Sequence, residues 1–336
     1  MPILSPDPII DSIVAYRRSK VLMIAAYFKV FDILESSINA ADAAKELGLH
    51  PRSTEILMDS LVAVGYVKKN ANHYRNAPLA SRFLVSGRQG YLGDNLKYQE
   101  IISEAWQDLR SCMKSGSTSK PLDYWLKDHE EFTAEYIRGM ANIALKPALE
   151  IASLVKTPNN ASMLDIGAGP GSYTLALLRK NPSMTATLFD LPSTLEVTRE
   201  LIAKQKDVRS RIRFQVGDYL KDDFGEKSHD LILLSHITHD ESPKSNRAML
   251  KKAVRALKPG GKAIIHDFTV DPSRTTPTFG ALFSVHMLAY TSGGRTYTLK
   301  EYHAWMRDAG LSKIYTRKIG AHSKNGTRII VGTKVP

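Results

Sequence analysis

Three acidic residues stand where predicted strands end, and the first of them precedes a glycine-rich loop. Asp165 ends an apolar run and is followed by glycines at every second position, Gly167, Gly169 and Gly171. Glycines allow a ligand to approach the backbone closely because they carry no Cβ. An acid directly before the loop would repel a pyrophosphate and suits a cationic group such as an ammonium. The Gly-x-Gly-x-Gly spacing also differs from the Gly-x-Gly-x-x-Gly of dinucleotide-binding folds.

The other two acids extend the same predicted ligand site. Asp190 ends the next predicted strand, where a carboxylate can hold both hydroxyls of a ribose. Asp218 and Tyr219 follow the third strand. There the Asp218 carboxylate can accept a hydrogen bond from an exocyclic amine, and the Tyr219 ring offers a face to an adenine ring. Each acid taken alone is equally explained as a solvated loop carboxylate or a helix cap. Together, an ammonium, a ribose and an adenine without a phosphate site describe S-adenosylmethionine better than NAD.

A histidine follows the fourth predicted strand at the same edge of the sheet. S-adenosylmethionine carries a methyl group on a sulfonium, and transfer of that methyl group would mainly require positioning of the acceptor. A phenol or alcohol acceptor must also lose its proton. His239, with an ordinary pKa of ~6.5, is suited to take that proton. His236 and His266 are nearby in the sequence, and a histidine after a strand can simply cap or hydrogen-bond. The residues alone therefore leave the role of His239 open.

The elements that must position these residues alternate between strand and helix. The predicted strands are Ser162–Ile166, Thr185–Phe189, Ile212–Val216, Asp230–Ser235, Lys262–Phe268, Lys313–Arg317 and Arg328–Thr333. Helical apolar spacing fills the segments between them. This pattern predicts an α/β sheet that is mostly parallel, with a ligand crevice at the carboxyl ends of its strands.

The first half of the chain is predicted to be mostly helical. Helices are expected over Asp7–Glu35, Ile38–Leu49 and Glu55–Val64, then a hairpin of Tyr66–Lys69 with His73–Asn76, then mostly helix over Tyr91–Val155. Two helices followed by a hairpin form a winged helix-turn-helix, which can bind DNA. Phosphate contacts need lysine and arginine, and residues 1–150 hold 18 basic and 18 acidic residues. We therefore expect the apolar helices to bury surface against another subunit.

Composition restricts the class of protein. The chain has 336 residues and a net charge of +12, all of it contributed by residues 151–336. Cys112 is the only cysteine, which excludes a disulfide framework and a cysteine-based zinc site and fits a reducing compartment. No secretory signal is evident at the N-terminus, and Val21–Leu34 is too short and too charged to span a bilayer. We expect a cytoplasmic protein that binds no membrane, no nucleic acid and no metal.

These motifs together resemble a known family. The matching stretches are Ala25–Leu34, Leu164–Gly171, Phe189–Pro192, Gly217–Tyr219, His239–Asp240 and Ala256–Lys262. Over nearly its whole length the chain is similar to the class I S-adenosylmethionine-dependent O-methyltransferases with an N-terminal winged-helix dimerisation domain. These include the plant caffeate and flavonoid enzymes, hydroxyindole O-methyltransferase and many bacterial natural-product methyltransferases. The resemblance implies a homodimer with a Rossmann-like, seven-stranded methyltransferase sheet behind a mostly helical winged-helix domain.

The resemblance also implies a division of the chain and a set of site residues. Residues 1–100 would form the dimerisation domain, 101–155 connecting helices that contribute to the acceptor pocket, and 156–336 the catalytic domain. The methionine part of the cofactor would lie along Gly167, Gly169 and Gly171, with Asp165 beneath it. The ribose would be held by Asp190 and Leu191, and the adenine by Asp218 and Tyr219. Ser235 would also contact the cofactor. His239 would be the general base and Asp267 the carboxylate that orients it. Met140, His286, Met287 and Thr291 would line the acceptor pocket, although core packing explains each nearly as well.

Two departures from the family pattern keep alternatives open. Glu241 stands where many members have tryptophan, and Thr296 stands where a second orienting glutamate is common. The expected acceptor is a hydroxyl on an aromatic or polyketide-like small molecule. Because of the two departures, either this hydroxyl is acidic enough to need little help from a base, or the acceptor atom is not a hydroxyl oxygen. The alternatives are N- or C-methylation or another reaction of the same cofactor, a winged-helix regulator responsive to S-adenosylmethionine, and methylation of RNA.

Overall fold

The computed structural model describes residues 4–128, 130–320 and 327–335 of the chain. These residues belong to two compact units, Met1–Glu104 and Ala105–Pro336. The boundaries predicted at residues 100 and 155 stay predictions. Within the described residues, no helix is long and apolar enough to cross a membrane.

The first unit surrounds a small antiparallel sheet with helices. Its helices are α1 (Asp7–Tyr27), α2 (Val30–Ile33), α3 (Ala40–Leu47), α4 (Pro51–Ala63), α5 (Pro78–Phe83) and α6 (Gly93–Gln107), the last of which continues past Glu104. Its strands are β1 (Ile38–Asn39), β2 (Val67–Asn70) and β3 (His73–Asn76), in the order β1-β3-β2. The predicted hairpin is confirmed as β2 and β3. Phe31, Leu34, Met58, Leu61 and Tyr74 form the centre of its core.

Two predictions for the first unit were wrong in detail. The single helix expected over Asp7–Glu35 breaks at Lys29, whose φ of +56° is left-handed and ends α1 before α2 begins. Ile38 and Asn39 are a strand paired with β3 rather than the start of a helix. The Asn39 side chain accepts from the Asp42 amide at 2.9 Å, so the helix begins only after this cap.

The second unit is a large sheet between layers of helix. Its helices are α7 (Leu109–Ser115), α8 (Leu122–Asp128), α9 (Glu130–Leu154), α10 (Ser172–Lys180), α11 (Pro192–Ala203), α12 (Pro243–Ala256), α13 (Thr278–Tyr290) and α14 (Leu299–Asp308), with short 3-10 turns at Arg209–Arg211 and Thr238–Asp240. Its strands are β4 (Ser162–Ile166), β5 (Thr185–Asp190), β6 (Ile212–Val216), β7 (His229–Ser235), β8 (Leu257–Val270), β9 (Tyr297–Thr298), β10 (Leu311–Ile319) and β11 (Thr327–Lys334).

The strand order is β10-β11-β8-β7-β4-β5-β6, with β9 beside the end of β8. Strands β4 to β8 run parallel to one another, whereas β11 is antiparallel to both of its neighbours, β8 and β10. The predicted seven-stranded, mostly parallel sheet is therefore confirmed, while the two-residue β9 was not predicted. The chain moves from β4 toward β6 on one side and then returns to β7 and β8 on the other. The resulting reversal of strand order opens a crevice at the carboxyl end of β4.

Both faces of the sheet are buried, which explains the near-continuous apolar strands. On β7, Leu231 and Leu233 pack into one core cluster, while Ile232 and Leu234 pack into the cluster on the opposite face. Alternate side chains of a strand point to opposite faces. The apolar side chains of the strands fill these two clusters, and the polar residues at the carboxyl ends of the strands lie at the crevice.

Candidate active site

Asp165 forms the floor of the loop after β4. The residue is 1% exposed, and its Oδ2 accepts a 2.6 Å hydrogen bond from Thr174 Oγ1 on α10. Burial raises the pKa of Asp165 to about 7, and the neighbouring charge of Asp190 acts in the same direction. A cationic ligand at this position would stabilise the ionised carboxylate.

The glycine loop lies directly against Asp190 at the end of β5. Gly167, Gly169 and Gly171 all have positive φ, at +65°, +50° and +72°. The Gly169 amide donates to Asp190 Oδ2 at 2.8 Å, and the Leu191 amide donates to Asp190 Oδ1 at 2.8 Å. A Cβ on Gly169 would meet no atom within 4 Å, so open space borders the loop. Burial raises the pKa of Asp190 to about 6 against the effect of these hydrogen bonds.

Asp218 and Tyr219 follow β6 on the other side of Asp190. Asp218 accepts from the Leu220 amide at 2.9 Å and is ion-paired with Lys221 at 2.7 Å. The Tyr219 hydroxyl donates to Glu241 Oε1 at 3.1 Å. Glu241, noted above as a departure from the family pattern, therefore positions the predicted adenine-binding ring.

Ser235 and His266 lie side by side on β7 and β8. Ser235 Oγ and His266 Nδ1 are 3.0 Å apart, and His266 Nε2 is 2.8 Å from Thr327 Oγ1. Burial holds the pKa of His266 well below its ordinary value. His266 is thus a neutral core histidine with both ring nitrogens hydrogen-bonded, which leaves His239 as the better candidate for a base.

His239 and Asp267 form a buried hydrogen-bonded pair at the crevice. His239 Nδ1 lies 2.6 Å from Asp267 Oδ1, and the His239 amide donates to Asp267 Oδ2 at 3.1 Å. On the other side of the ring, Nε2 lies 3.6 Å from Asp240 Oδ1. Burial acts to lower the pKa of His239, but the two carboxylates outweigh it and raise the pKa to about 9. Burial conversely acts to raise the pKa of Asp267, but the histidines beside it hold that pKa well below its usual range.

The backbone around His239 is fixed by close contacts that the sequence did not suggest. Thr238 Oγ1 donates to Asp267 Oδ2 and lies 2.9 Å from the Tyr302 hydroxyl. Asn246 Nδ2 donates to the Thr238 carbonyl at 2.8 Å. A Cβ on Gly294 would lie 2.1 Å from the His239 carbonyl oxygen. Only glycine at position 294 permits this packing, so Gly294 sets where His239 lies.

A row of aromatic side chains continues from His239, and sequence reasoning missed most of it. Phe283 meets the His239 ring edge to face at 4.9 Å between centroids, and Phe268 lies 4.7 Å from Phe283. Phe279 completes the group at 4.8 Å from Phe268. A signal was available, because Phe279 and Phe283 are four residues apart on a predicted helix and thus share a face.

The four predicted acceptor-pocket residues are not all brought together. His286 lies 5.5 Å from Phe283 between ring centroids and so joins the aromatic row. Thr291 is buried, donates to the Met287 carbonyl and accepts from the Gly294 amide. Met287 is 1% exposed in the core, and Met140 is half-buried on α9. Their roles stay predictions.

Two further observations concern a departure from the family pattern and a possible metal site. The Thr296 hydroxyl is buried and has no hydrogen-bond partner among the described residues, while its amide donates to Ser284 Oγ. His236, His239 and Asp267 present ligand atoms within 4.8 Å of one another, a grouping compatible with a metal ion. The expectation that no metal is bound stays a prediction.

The Rossmann-like sheet and the glycine loop with its strand-end acids define a class I methyltransferase. Residues 114–312 match the model of the O-methyltransferase domain, and residues 10–86 match that of the O-methyltransferase dimerisation domain. The chain belongs to the O-methyltransferase family, whose methyl donor is S-adenosylmethionine. The predicted family, fold class, enzyme class and cofactor are confirmed.

Individual relatives cover nearly the whole chain. The 3-hydroxy-5-methyl-1-naphthoate 3-O-methyltransferase of Streptomyces sahachiroi is 28% identical over 98% of this chain and 95% of its own length. The N,N-dimethyltransferase OxyT of Streptomyces rimosus is 27% identical over 92% of this chain and 91% of its own. The solved structure of PigF with S-adenosylhomocysteine superposes with a TM-score of 0.88 at 25% identity, covering 98% of this chain and 100% of that one.

Proposed function

We propose that the protein methylates a hydroxyl on a fused-ring aromatic small molecule and that His239 is the general base. The observation that carries this proposal is the 2.6 Å pair of His239 and Asp267 at the start of the row of aromatic rings. Flat aromatic acceptors pack well against such rings. The naphthoate specificity named for the Streptomyces sahachiroi relative supports the same acceptor class.

The residues around the glycine loop fit the methyl donor. The space above Gly169 is open, Asp165 is a buried carboxylate suited to an ammonium, and Asp190 lies at a strand end where a ribose is held. The proposed cofactor-binding residues are Asp165, Gly167, Gly169, Gly171, Asp190, Leu191, Asp218, Tyr219 and Ser235. When bound there, S-adenosylmethionine supplies an electrophilic methyl group on a sulfonium.

In the proposed reaction, His239 accepts the proton of the acceptor hydroxyl. S-adenosylmethionine held beside the glycine loop would supply its methyl group to the acceptor oxygen, and the C–S bonding electrons would leave with the sulfur as S-adenosylhomocysteine. Asp267 keeps the Nδ1 proton in place, so that Nε2 is the nitrogen available to the acceptor, and its charge stabilises the imidazolium that forms. Asp267 is thus a positioning residue. The aromatic rings exclude water and align the acceptor.

The test is His239→Asn assayed against neutral hydroxynaphthalenes. General-base catalysis contributes ~10²–10⁴-fold, so kcat is expected to fall about a thousandfold while S-adenosylmethionine affinity by calorimetry changes less than twofold. The exposed His73 provides the control, because His73→Asn should leave both quantities unchanged. Undiminished turnover of His239→Asn with cofactor bound would refute the base role.

N-methylation is the second candidate, favoured by the similarity to the N,N-dimethyltransferase OxyT. An amine with a free lone pair needs no base, and Thr296 stands where many family members have a second orienting glutamate. Assaying matched aminonaphthalenes and hydroxynaphthalenes separates the two: the proposed function requires the hydroxyl compounds to react faster and to lose more rate in His239→Asn.

We further propose a homodimer formed through the N-terminal unit and a cytoplasmic location. The match to the dimerisation domain over residues 10–86 supports the dimer. Cys112, the only cysteine, is buried and unpaired, which is compatible with a reducing compartment.

A further inference from the structure

A cavity of about 650 Å³ opens beside the far end of the aromatic row. It is lined by Trp106, Gln107, Asp108, Arg110, Ser111 and Lys114. Trp106 is the element that joins it to the row, because its Nε1 donates to His286 Nδ1 at 3.0 Å and the two rings are 5.9 Å apart. We propose that this cavity binds an anionic group of the acceptor, a carboxylate, through Arg110 and Lys114.

The row of aromatic rings connects the cavity to His239 at the reacting end. Ring-to-ring centroid distances are 4.9 Å from His239 to Phe283, 5.5 Å from Phe283 to His286 and 5.9 Å from His286 to Trp106. An acceptor with its hydroxyl at His239 and its rings along this row would have its far end at Trp106. The proposal therefore rests on the proposed function, which places the hydroxyl at His239.

His286, in the middle of the row, has a fixed protonation state. Burial lowers the pKa of His286 to about 4, with the charge of His239 acting in the same direction. The ring is therefore neutral near pH 7, and since Nδ1 accepts from Trp106, its proton is on Nε2. Among the described rings of the row only His239 can carry a positive charge, and in the proposed function it faces the acceptor hydroxyl, so an anion at the other end of the acceptor is directed past His286 to the cavity.

The wall of the cavity carries a positive charge. Arg110 and Lys114 are exposed, line the same cavity and are four residues apart on α7, where like charges repel. Neither forms an ion pair with any described residue. Asp108 is the single acid on this wall, so the lining has one excess positive charge. A carboxylate between Arg110 and Lys114 would relieve their repulsion and form charge-assisted hydrogen bonds.

The experiment measures binding of two ligands of equal shape to protein saturated with S-adenosylhomocysteine. By calorimetry, 6-hydroxyanthracene-2-carboxylate, whose hydroxyl and carboxylate stand at opposite ends of three fused rings, is expected to bind about tenfold more tightly than its carboxamide. Arg110→Gln with Lys114→Gln should remove that preference and leave the affinity for the amide within twofold. Asp108→Asn, on the same wall, should instead tighten binding of the carboxylate about twofold. Raising the salt concentration should weaken binding of the carboxylate only.

Lys204, exposed after α11 and outside the cavity lining, provides the matched control, since Lys204→Gln should change neither affinity. Equal binding of the two ligands, equal losses for both in the double variant, or no binding of either would overturn the carboxylate site. Methyl transfer to the amide by the unaltered protein tests the proposed function separately. Transfer without a carboxylate preference refutes only the anion site, whereas carboxylate binding without transfer refutes only the function.

Discussion

His239 lies between two carboxylates, and this arrangement governs when it can act as a base. Asp267 holds Nδ1 at 2.6 Å, and Asp240 lies 3.6 Å from Nε2. With a pKa raised to about 9, the ring is protonated near pH 7 in the free protein. An acidic acceptor can enter as its oxyanion and pair with the imidazolium, whereas a neutral phenol needs the imidazole. An acidic acceptor would therefore need no second orienting carboxylate in the place of Thr296.

A pH dependence follows for neutral phenols with a pKa of ~10, the ordinary value for tyrosine. Below its pKa the neutral ring becomes about tenfold more abundant with each unit by which the pH rises, so kcat/KM should rise through pH 7 and 8 and bend near pH 9. Asp267→Asn removes the largest charge that raises this pKa and should move the bend downward. Initial rates from pH 6 to 10 at saturating cofactor measure it. A wild-type bend near 6.5 would contradict the geometry.

The buried carboxylate of Asp165 should lower the stability of the cofactor-free protein and strengthen its binding of S-adenosylmethionine. Its pKa in the folded state is raised to about 7 by burial, so the folded protein binds a proton that the unfolded chain releases near 3.8. Without cofactor, stability should therefore fall as pH rises from 4 to 7. Asp165→Asn should raise the melting temperature at pH 8 by about 3 °C and weaken S-adenosylmethionine binding about tenfold. The control is Glu196→Gln on the exposed face of α11, expected to change neither; a lower melting temperature for Asp165→Asn would contradict the account.

At the scale of elements, the site is assembled by loops that follow parallel strands. The loops after β4, β5 and β7 meet because the strand order reverses at β4. The segment before β9 then packs against the His239 backbone at Gly294. Pairing of β9 with the end of β8 holds this segment close to the strand that carries Asp267, so a two-residue strand contributes to placing the proposed base.

Gly294→Ala tests this packing. The added Cβ would lie 2.1 Å from the His239 carbonyl, so we expect a loss of about 2 kcal/mol of unfolding free energy and at least a tenfold fall in kcat. Gly260→Ala is the comparison: its φ of +76° costs about 1 kcal/mol, but a Cβ there meets nothing within 4 Å. Denaturant unfolding and kcat measure both. Equal kcat in the two variants would show that Gly294 does not position His239.

At the scale of the whole molecule, an apolar stripe on α1 is left exposed in the single chain. Ile9, Ile10, Ile13 and Tyr16 are 67%, 51%, 64% and 65% exposed. Exposed apolar surface of this kind marks an interface, and part of it lies within the matched dimerisation domain.

We expect light scattering to give twice the 37.3 kDa mass of one chain. Ile9→Glu with Ile13→Glu should shift the protein to monomer, because a charged residue cannot be buried unpaired at an apolar interface. Tyr315→Glu, exposed on β10, should leave the mass unchanged. A double variant that remains dimeric would place the interface elsewhere.

The sequence by itself determined the sheet, its strands and the cofactor. Apolar runs that end in Asp165, Asp190 and Asp218 are local signals, since strand period, turn chemistry and the acid all lie within a few adjacent residues. His239 and Asp267 were singled out as a pair only through resemblance, because 28 residues separate them along the chain.

The surroundings of His239 became known only from the tertiary structure. The approach of Gly294 to His239, the Thr238–Asp267 bond and the row from Phe283 to Trp106 join distant segments. These contacts arise from packing between elements that are far apart in the chain. Packing of this kind produces no periodic pattern in the sequence, so the sequence could not predict it. Trp106 and His286 are 180 positions apart, and only the folded sheet and its helices bring them to within a hydrogen bond.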